Sequence, residues 1–158
     1  MFVTIRDFVK EWEDESAATQ RVLDALTDAS LSTQVAPGHR TLGEIAWHLV
    51  TTIHEMLSLA GLKFESPGDE RQTPDSAKAI ADAYRATSQA MLEAVKTQWN
   101  DESLREIKNM YGQSWANGLT LRILIQHQAH HRGQMTVLMR QAGLRVPGVY
   151  GPSKEEWA

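Results

Sequence analysis

The sequence predicts an all-α protein built as a four-helix bundle, with long connections and an irregular C-terminal tail. Four long segments carry apolar residues at spacings of three and four, and stretches with glycine or proline separate them. The chain has 158 residues, a length typical of one domain. Residues 1–158 are therefore interpreted as a single four-helix-bundle domain.

The first two helices are predicted at residues 4–28 and 42–60. For the second helix, Thr41 is the expected N-cap, and Glu44, three residues later, completes a capping box. Gly61 fits the C-terminal end of the same helix. The first helix has an apolar face formed by Ile5, Phe8, Val9, Trp12, Leu23 and Leu26.

The third and fourth helices are predicted at residues 74–99 and 119–142. Thr73 is the expected N-cap of the third helix, whose first position is a proline. Asn117 is the expected cap of the fourth helix, and Gly143 its end.

The segment between the last two helices and the tail are less regular. Residues 101–115 are predicted to hold either a short strand or an extra turn around Ile107 and Tyr111. The tail after Leu144 contains two turn-forming stretches and cannot be helical throughout. These stretches are Val146-Pro147-Gly148 and Tyr150-Gly151-Pro152.

Composition excludes several classes of function. The chain has no cysteine, so disulfides, zinc fingers and thiol nucleophiles of its own are ruled out. The net charge of −4 argues against nucleic-acid binding. The chain lacks the apolar run of a membrane span, and its first residues do not resemble a signal peptide. A cytoplasmic protein without a membrane or nucleic-acid partner is expected.

Three histidines are the candidate metal ligands. His127 and His131 are four residues apart, so they lie one turn above the other on the same side of the fourth helix. His48 lies at the edge of the apolar face of the second helix, where it can approach a site between two helices. Three imidazoles with an open coordination position are typical of a reactive site. Nickel or zinc is the favoured ion, with iron or manganese as alternatives.

The same residues allow plainer interpretations. Each histidine alone is compatible with an ordinary hydrogen-bonded residue at the edge of the core, and a bundle without metal remains an alternative. His130 is the alternative candidate ligand, although it lies further from the core than His127, whereas His54 and His39 are expected at the surface. The possible partners that orient a ligand imidazole are Glu44, Glu55 and Gln134.

Polar residues interrupt the core faces of the first and third helices near their middle. Buried polar groups need partners, so these residues are predicted to share a pocket with the histidines. The alternative is that they hydrogen-bond to the backbone of their own helices. The positions are Ser16, Thr19 and Ser88, and the aromatic residues Tyr84 and Trp115 are candidates to line the same pocket.

The segment His127-Gln128-Ala129-His130-His131-Arg132-Gly133-Gln134 resembles the HxxxHRGQ motif of the DinB-like superfamily of metal-dependent helical bundles. The segment from Gly43 to Leu49 resembles the part of that family that carries its first ligand, here His48, and the tail from Gly143 to Pro152 is also similar. The resemblance covers essentially the whole chain. It implies an up-down-down-up bundle, a metal triad of His48, His127 and His131, and frequent homodimers. Characterised members of the family include S-transferases that use bacillithiol or mycothiol, and a mycothiol-dependent maleylpyruvate isomerase.

The leading hypothesis is a metal-dependent enzyme, such as an S-transferase that uses a low-molecular-weight thiol. A metal-dependent hydrolase and a non-catalytic protein that binds a metal or small ligand are the alternatives. The expected partners are a small-molecule substrate, such as a thiol, and a second copy of the chain. The sequence identifies no catalytic base. A cavity of substrate size beside the site would favour an enzyme over a binding protein.

Overall fold

A computed structural model describes residues 1–157 and has four long helices and one small hairpin. The helices are α1 (Ile5–Asp24), α2 (Leu42–Leu59), α3 (Ala77–Gln98) and α4 (Asn117–Gln141). The strands are β1 (Ile107–Met110) and β2 (Gln113–Ala116). Short 3-10 turns occupy Asp28–Ser32, Glu102–Arg105 and Lys154–Glu156. The predicted all-α class is confirmed.

Each helix of the bundle packs against two others. Helices α1 and α2 both contact α3 and α4, so α1 lies diagonally across from α2. Helix α1 runs antiparallel to α3, because Trp12 Nε1 donates to Ser88 Oγ while Gln20, further along α1, donates to the earlier Ala81 carbonyl.

Helix α4 runs parallel to α1 and antiparallel to α2. Arg122 and Arg132 of α4 pair in the same order with Glu11 and Glu15 of α1. Against α2 the order is reversed, because Gln128 donates to the Leu49 carbonyl whereas Leu138, further along α4, lines one cavity with the earlier Ile45. These directions give the up-down-down-up order that the resemblance implies.

Local capping explains where α2 begins. The Thr41 hydroxyl accepts from the Glu44 backbone N–H at 3.1 Å, and the Glu44 carboxylate accepts from the Thr41 N–H at 2.6 Å. This is the predicted capping box. Gly61, with φ of +101°, follows the helix in a left-handed conformation that glycine adopts without strain.

Three other predicted helix ends were wrong. Helix α1 ends at Asp24 rather than at residue 28, where a separate 3-10 turn begins. Helix α3 begins at Ala77, and Ser76 is its N-cap in place of Thr73. Helix α4 begins at Asn117 itself, whose side chain donates to the Ser103 carbonyl and does not cap the helix.

The segment before α4 forms an antiparallel hairpin, in agreement with the strand alternative. Met110 pairs with Gln113 across a two-residue turn of Tyr111 and Gly112. Both turn residues have positive φ, 54° and 80°, as in a type I′ turn. The hairpin packs beside α2 and positions the start of α4.

The tail returns to the bundle and is held by polar contacts. The Arg140 guanidinium donates to the Glu155 carboxylate at 2.7 and 2.9 Å, which holds the pKa of Glu155 near 2. Tyr150 contacts the buried Arg132 through its hydroxyl. Within residues 1–157, every helix is too short or too polar to cross a lipid bilayer.

Candidate metal centre

The antiparallel pair α2 and α4 brings three histidines to one point. His127 Nε2 lies 3.1 Å from His48 Nε2 and 3.1 Å from His131 Nε2. One nitrogen from each of the three rings lies within 4.8 Å of the others, and all three side chains are half-buried. The structure therefore assembles the three residues that helical spacing singles out.

The outer nitrogens of two of these rings are held by acceptors. His48 Nδ1 lies 2.6 Å from Glu70 Oε1, and His131 Nδ1 lies 2.7 Å from Gln134 Oε1. A carboxylate only accepts hydrogen bonds, so the proton of neutral His48 belongs on Nδ1. The Nε2 lone pairs of both rings then point inward.

Hydrogen bonding alone does not satisfy this arrangement. When His48 and His131 carry their protons on Nδ1, the Nε2 of a neutral His127 has at most one N–H to share between two acceptors. If the proton of His127 sits on Nδ1 instead, three lone pairs converge with no donor between them. The Nδ1 atom is itself buried and makes no hydrogen bond within residues 1–157. A divalent cation suits such a set of donor atoms.

Burial keeps two of the imidazoles neutral. Burial is the main cause, and together with the nearby His131 and His48 it lowers the pKa of His127 to about 3. Burial is also the main cause of a lowered pKa at His131, where the hydrogen bond to Gln134 acts in the opposite direction. Neutral imidazole is the form that binds metal ions, so little proton competition is expected at neutral pH.

The remaining histidines lie outside the cluster. His130 is exposed, and its Nε2 lies 3.3 Å from the Gln134 amide nitrogen, so it does not replace a member of the triad. His54 packs against the Phe64 ring at 5.1 Å between centroids. His39 is exposed, as predicted, and it lines a cavity that also contacts His131.

Three residues were predicted to orient a ligand imidazole, and two of them have other hydrogen-bond partners. Glu44 belongs to the α2 capping box, as its spacing from Thr41 predicts, and does not orient a ligand imidazole. Glu55 accepts a hydrogen bond from the Tyr111 hydroxyl at 3.0 Å and does not contact His48. Gln134 does hold a ligand imidazole, as predicted. Glu70 was missed, because it lies in the irregular segment 22 residues after His48 and has no periodic relation to it.

The prediction of a pocket shared by the histidines and the polar core residues was wrong. Ser88 accepts from Trp12, and Thr19 accepts from Arg132 at 2.9 Å, so both are satisfied on the α1 side of the bundle. Ser16 Oγ donates to the Glu13 carbonyl and Thr19 Oγ1 to the Glu15 carbonyl, so the alternative of a bond to the backbone of the same helix holds for these two residues.

The two aromatic candidates also face other partners. The Tyr84 hydroxyl donates to Gln128 Oε1 at 3.1 Å, and burial raises the pKa of Tyr84. Trp115 Nε1 donates to Gln113 on the hairpin.

A different cavity lies beside the histidines. Its volume is about 430 Å³, and it lies between the loop before α2 and the second half of α4. His131 and Gln134 form part of its wall, so the histidine cluster adjoins a space of substrate size. The complete lining is Val35, His39, Arg40, Ile45, His131, Gln134, Val137 and Leu138.

Comparison with known proteins places the chain in a family. Residues 1–158 match the DinB family. An uncharacterized protein of Bacillus subtilis strain 168, YrdA, is 53% identical over 158 residues, which are 100% of this chain and 95% of that protein. The crystal structure of a DinB-like protein from Bacillus cereus ATCC 10987 has a TM-score of 0.92 at 53% identity, and the match covers 95% of this chain and 100% of the other.

A more distant DinB-like protein, YjoA of Bacillus subtilis, shares the fold. Its TM-score is 0.70 at 14% identity, over 90% of this chain and 97% of the other. Together with the full-length family match, these relatives show that the chain belongs to the DinB family.

Proposed function

We propose that the chain is a divalent-metal-dependent enzyme, an S-transferase that uses a low-molecular-weight thiol. The observation that carries the proposal is the convergence of three imidazole nitrogens beside a cavity of about 430 Å³. A structural metal site is normally closed by four protein ligands, whereas three ligands next to a cavity leave a position for a substrate.

His48, His127 and His131 would hold the ion, with nickel and zinc as the favoured metals. The bound ion would supply Lewis acidity, which favours the thiolate form of a coordinating thiol. Glu70 and Gln134 keep the Nε2 atoms of two ligand imidazoles turned inward. Burial keeps His127 unprotonated and ready to bind.

The thiol must come from a cosubstrate, because the chain has no cysteine. The transfer forms a bond between the thiol sulfur and an electrophilic carbon. The leaving group departs with the electron pair of the broken bond, and the thiol proton passes to solvent. The contribution of the protein is to bind and orient both reactants beside His131.

The test is an activity assay with a matched pair of variants. Metal-loaded protein is mixed with cysteine, glutathione or bacillithiol and an aryl chloride, and thioether formation is followed. His131→Ala should abolish turnover, whereas His130→Ala, one position away and exposed, should retain it. Equal rates in the native protein, both variants and a protein-free control would reject the S-transferase.

A parallel assay with ester substrates separates transfer from hydrolysis. Ester cleavage that depends on His131, without thioether formation, would assign a metal-dependent hydrolase instead. Bound metal without turnover in either assay would assign a binding protein.

A further inference from the structure

The cavity beside His131 has two chemically different parts. Four apolar side chains, Val35, Ile45, Val137 and Leu138, line it together with the polar side chains of His39, Arg40, His131 and Gln134. This lining contains one permanent positive charge and no carboxylate. The lining side chains therefore carry a positive formal charge, opposite to the net charge of −4 on the whole chain, and the nearest carboxylate paired with Arg40 is that of Glu70, outside the lining.

Arg40 is the side chain of this lining that can bind an anion most strongly. A guanidinium carries five N–H donors that suit a carboxylate, and the side chain of Arg40 is 52% exposed. Within residues 1–157 it makes one ion pair, which is long, 3.5 Å from Nη2 to Glu70 Oε1. Most of its donors remain available to a ligand.

The loop that carries Arg40 is held in place by its neighbours. Gln34 and Thr41 form an isolated antiparallel bridge around it, and the Gln34 amide donates to the His39 carbonyl at 2.9 Å. Gly38, with φ of +80°, closes the turn. Arg40 also directly precedes Thr41, the fixed N-cap of α2. The position of the guanidinium is therefore partly organised before any ligand binds.

Exposed apolar side chains stand on both sides of the cavity. Val35 on the loop is 60% exposed, and Val137 on α4 is 53% exposed. Large apolar residues that face each other across an open cavity are typical of a ligand groove. A ligand that covered both would remove apolar surface from water.

We propose that this cavity binds a small organic anion, with its carboxylate on Arg40 and its apolar body against Val35, Ile45 and Val137. The inference rests on the proposed function, since it names the substrate class of that site. An anion held in this way lies along the wall that contains His131 and Gln134. Its far end would be next to the histidine cluster.

Hexanoate and the neutral hexanamide are matched probes of the anion site. Apparent Kd values are measured by chemical-shift titration of the valine methyl groups, before and after removal of metal with a chelator. Chelation separates binding at Arg40 from ligation of a metal by the carboxylate. Hexanoate should bind about tenfold more tightly than hexanamide in both states, as one charge-assisted contact at a partly exposed site predicts.

Three variants assign that preference to the cavity. Arg40→Gln should erase it, and Val137→Glu should reverse it by placing a carboxylate on the opposite wall. Arg6→Gln, which removes an arginine with a 91% exposed side chain elsewhere on the chain, should leave it unchanged. Equal binding of the two probes, an unchanged preference in Arg40→Gln, or its loss on chelation would overturn the proposal.

The outcome is separable from that of the proposed function. Anion preference that survives in a protein without transferase activity would reject the S-transferase and keep the anion site. Transferase activity with no anion preference in the cavity would keep the S-transferase and reject the anion site.

Discussion

Replacing Glu70 with alanine should weaken metal binding about tenfold. Removal of a hydrogen-bond partner that orients a ligand histidine typically lowers metal affinity by about 10- to 100-fold. The contact from Glu70 Oε1 to His48 Nδ1 is short, 2.6 Å, which favours a large effect. However, the Glu70 side chain is 49% exposed, so solvent screens its charge and the lower end of the range applies. Tenfold corresponds to about 1.4 kcal/mol.

Two further variants separate orientation from charge. Glu70→Gln keeps an acceptor for the Nδ1 proton and removes the charge, so its affinity should lie between the native value and that of Glu70→Ala. Glu65→Ala removes an exposed carboxylate from the same connecting segment and should bind metal like the native protein. Affinity is measured at pH 7 by competition with a chromophoric chelator. If Glu70→Ala and Glu65→Ala bind equally well, Glu70 does not orient His48.

Three other outcomes follow from the structure. The metal-free protein should lose stability as pH falls from about 6.5 toward 3, because His127 binds a proton more readily in the unfolded state than in the folded state, where its pKa is about 3. The free energy of unfolding is measured by urea titration for the native protein and for His127→Gln. The difference between the two should change over this pH window, and a constant difference would refute the low pKa of His127 in the folded state. Gly118→Ala should destabilise the protein by about 1–3 kcal/mol, since a Cβ there would lie 2.1 Å from the Phe2 carbonyl oxygen. Gly133 lies on the same helix, and a Cβ added there would meet open space, so Gly133→Ala should be neutral or stabilising. If Gly118→Ala and Gly133→Ala lowered the melting temperature equally, this packing would be contradicted. Chelation should leave the helical circular dichroism intact, because the four helices share a continuous apolar core; loss of helicity would indicate a structural ion.

Features that depend on neighbours in sequence could be predicted well. The capping box of α2 involves Thr41 and Glu44, three residues apart, and both of its hydrogen bonds form as expected. The four-residue spacing of His127 and His131 likewise determines that their rings share one side of α4. The antiparallel packing of α2 on α4 then brings His48 to the same height.

Features that depend on distant contacts could not be predicted in this way. Both Thr73 and Ser76 are suitable caps for α3, and a long-range contact favours the second, since Asp28 Oδ1 accepts from the Ala77 N–H at 2.7 Å. The error arose because local capping rules cannot rank two candidates that lie three residues apart.

Glu70 in the histidine site likewise could not be predicted, because its position depends on a distant contact. It reaches His48 because the loop folds back over α2, where Trp47 Nε1 donates to the Asp69 carbonyl at 2.9 Å. A loop path of this kind leaves no periodic signal in the sequence. The acidic pair Asp69-Glu70 in an otherwise irregular segment was the only local hint.

Buried polar residues were predicted in the right places, and the alternative of a backbone partner on the same helix holds for Thr19, but the predicted contact with the histidines was wrong. The positions of Thr19 and Ser88 on core faces correctly indicated burial. Their partners are Arg132 and Trp12, large residues whose polar ends reach across the core. The sequence offered no way to choose between these partners and the histidines, since hydrogen-bond satisfaction requires a partner but does not specify which one.

The most direct test of the three-histidine site is the metal content of the protein purified without an affinity tag. Elemental analysis should find about one divalent ion per chain in the native protein and in His130→Ala, whose imidazole lies outside the cluster. The triple variant His48→Ala, His127→Ala, His131→Ala should contain essentially none while keeping its helical spectrum. A triple variant that retains a full equivalent of metal would contradict the assignment.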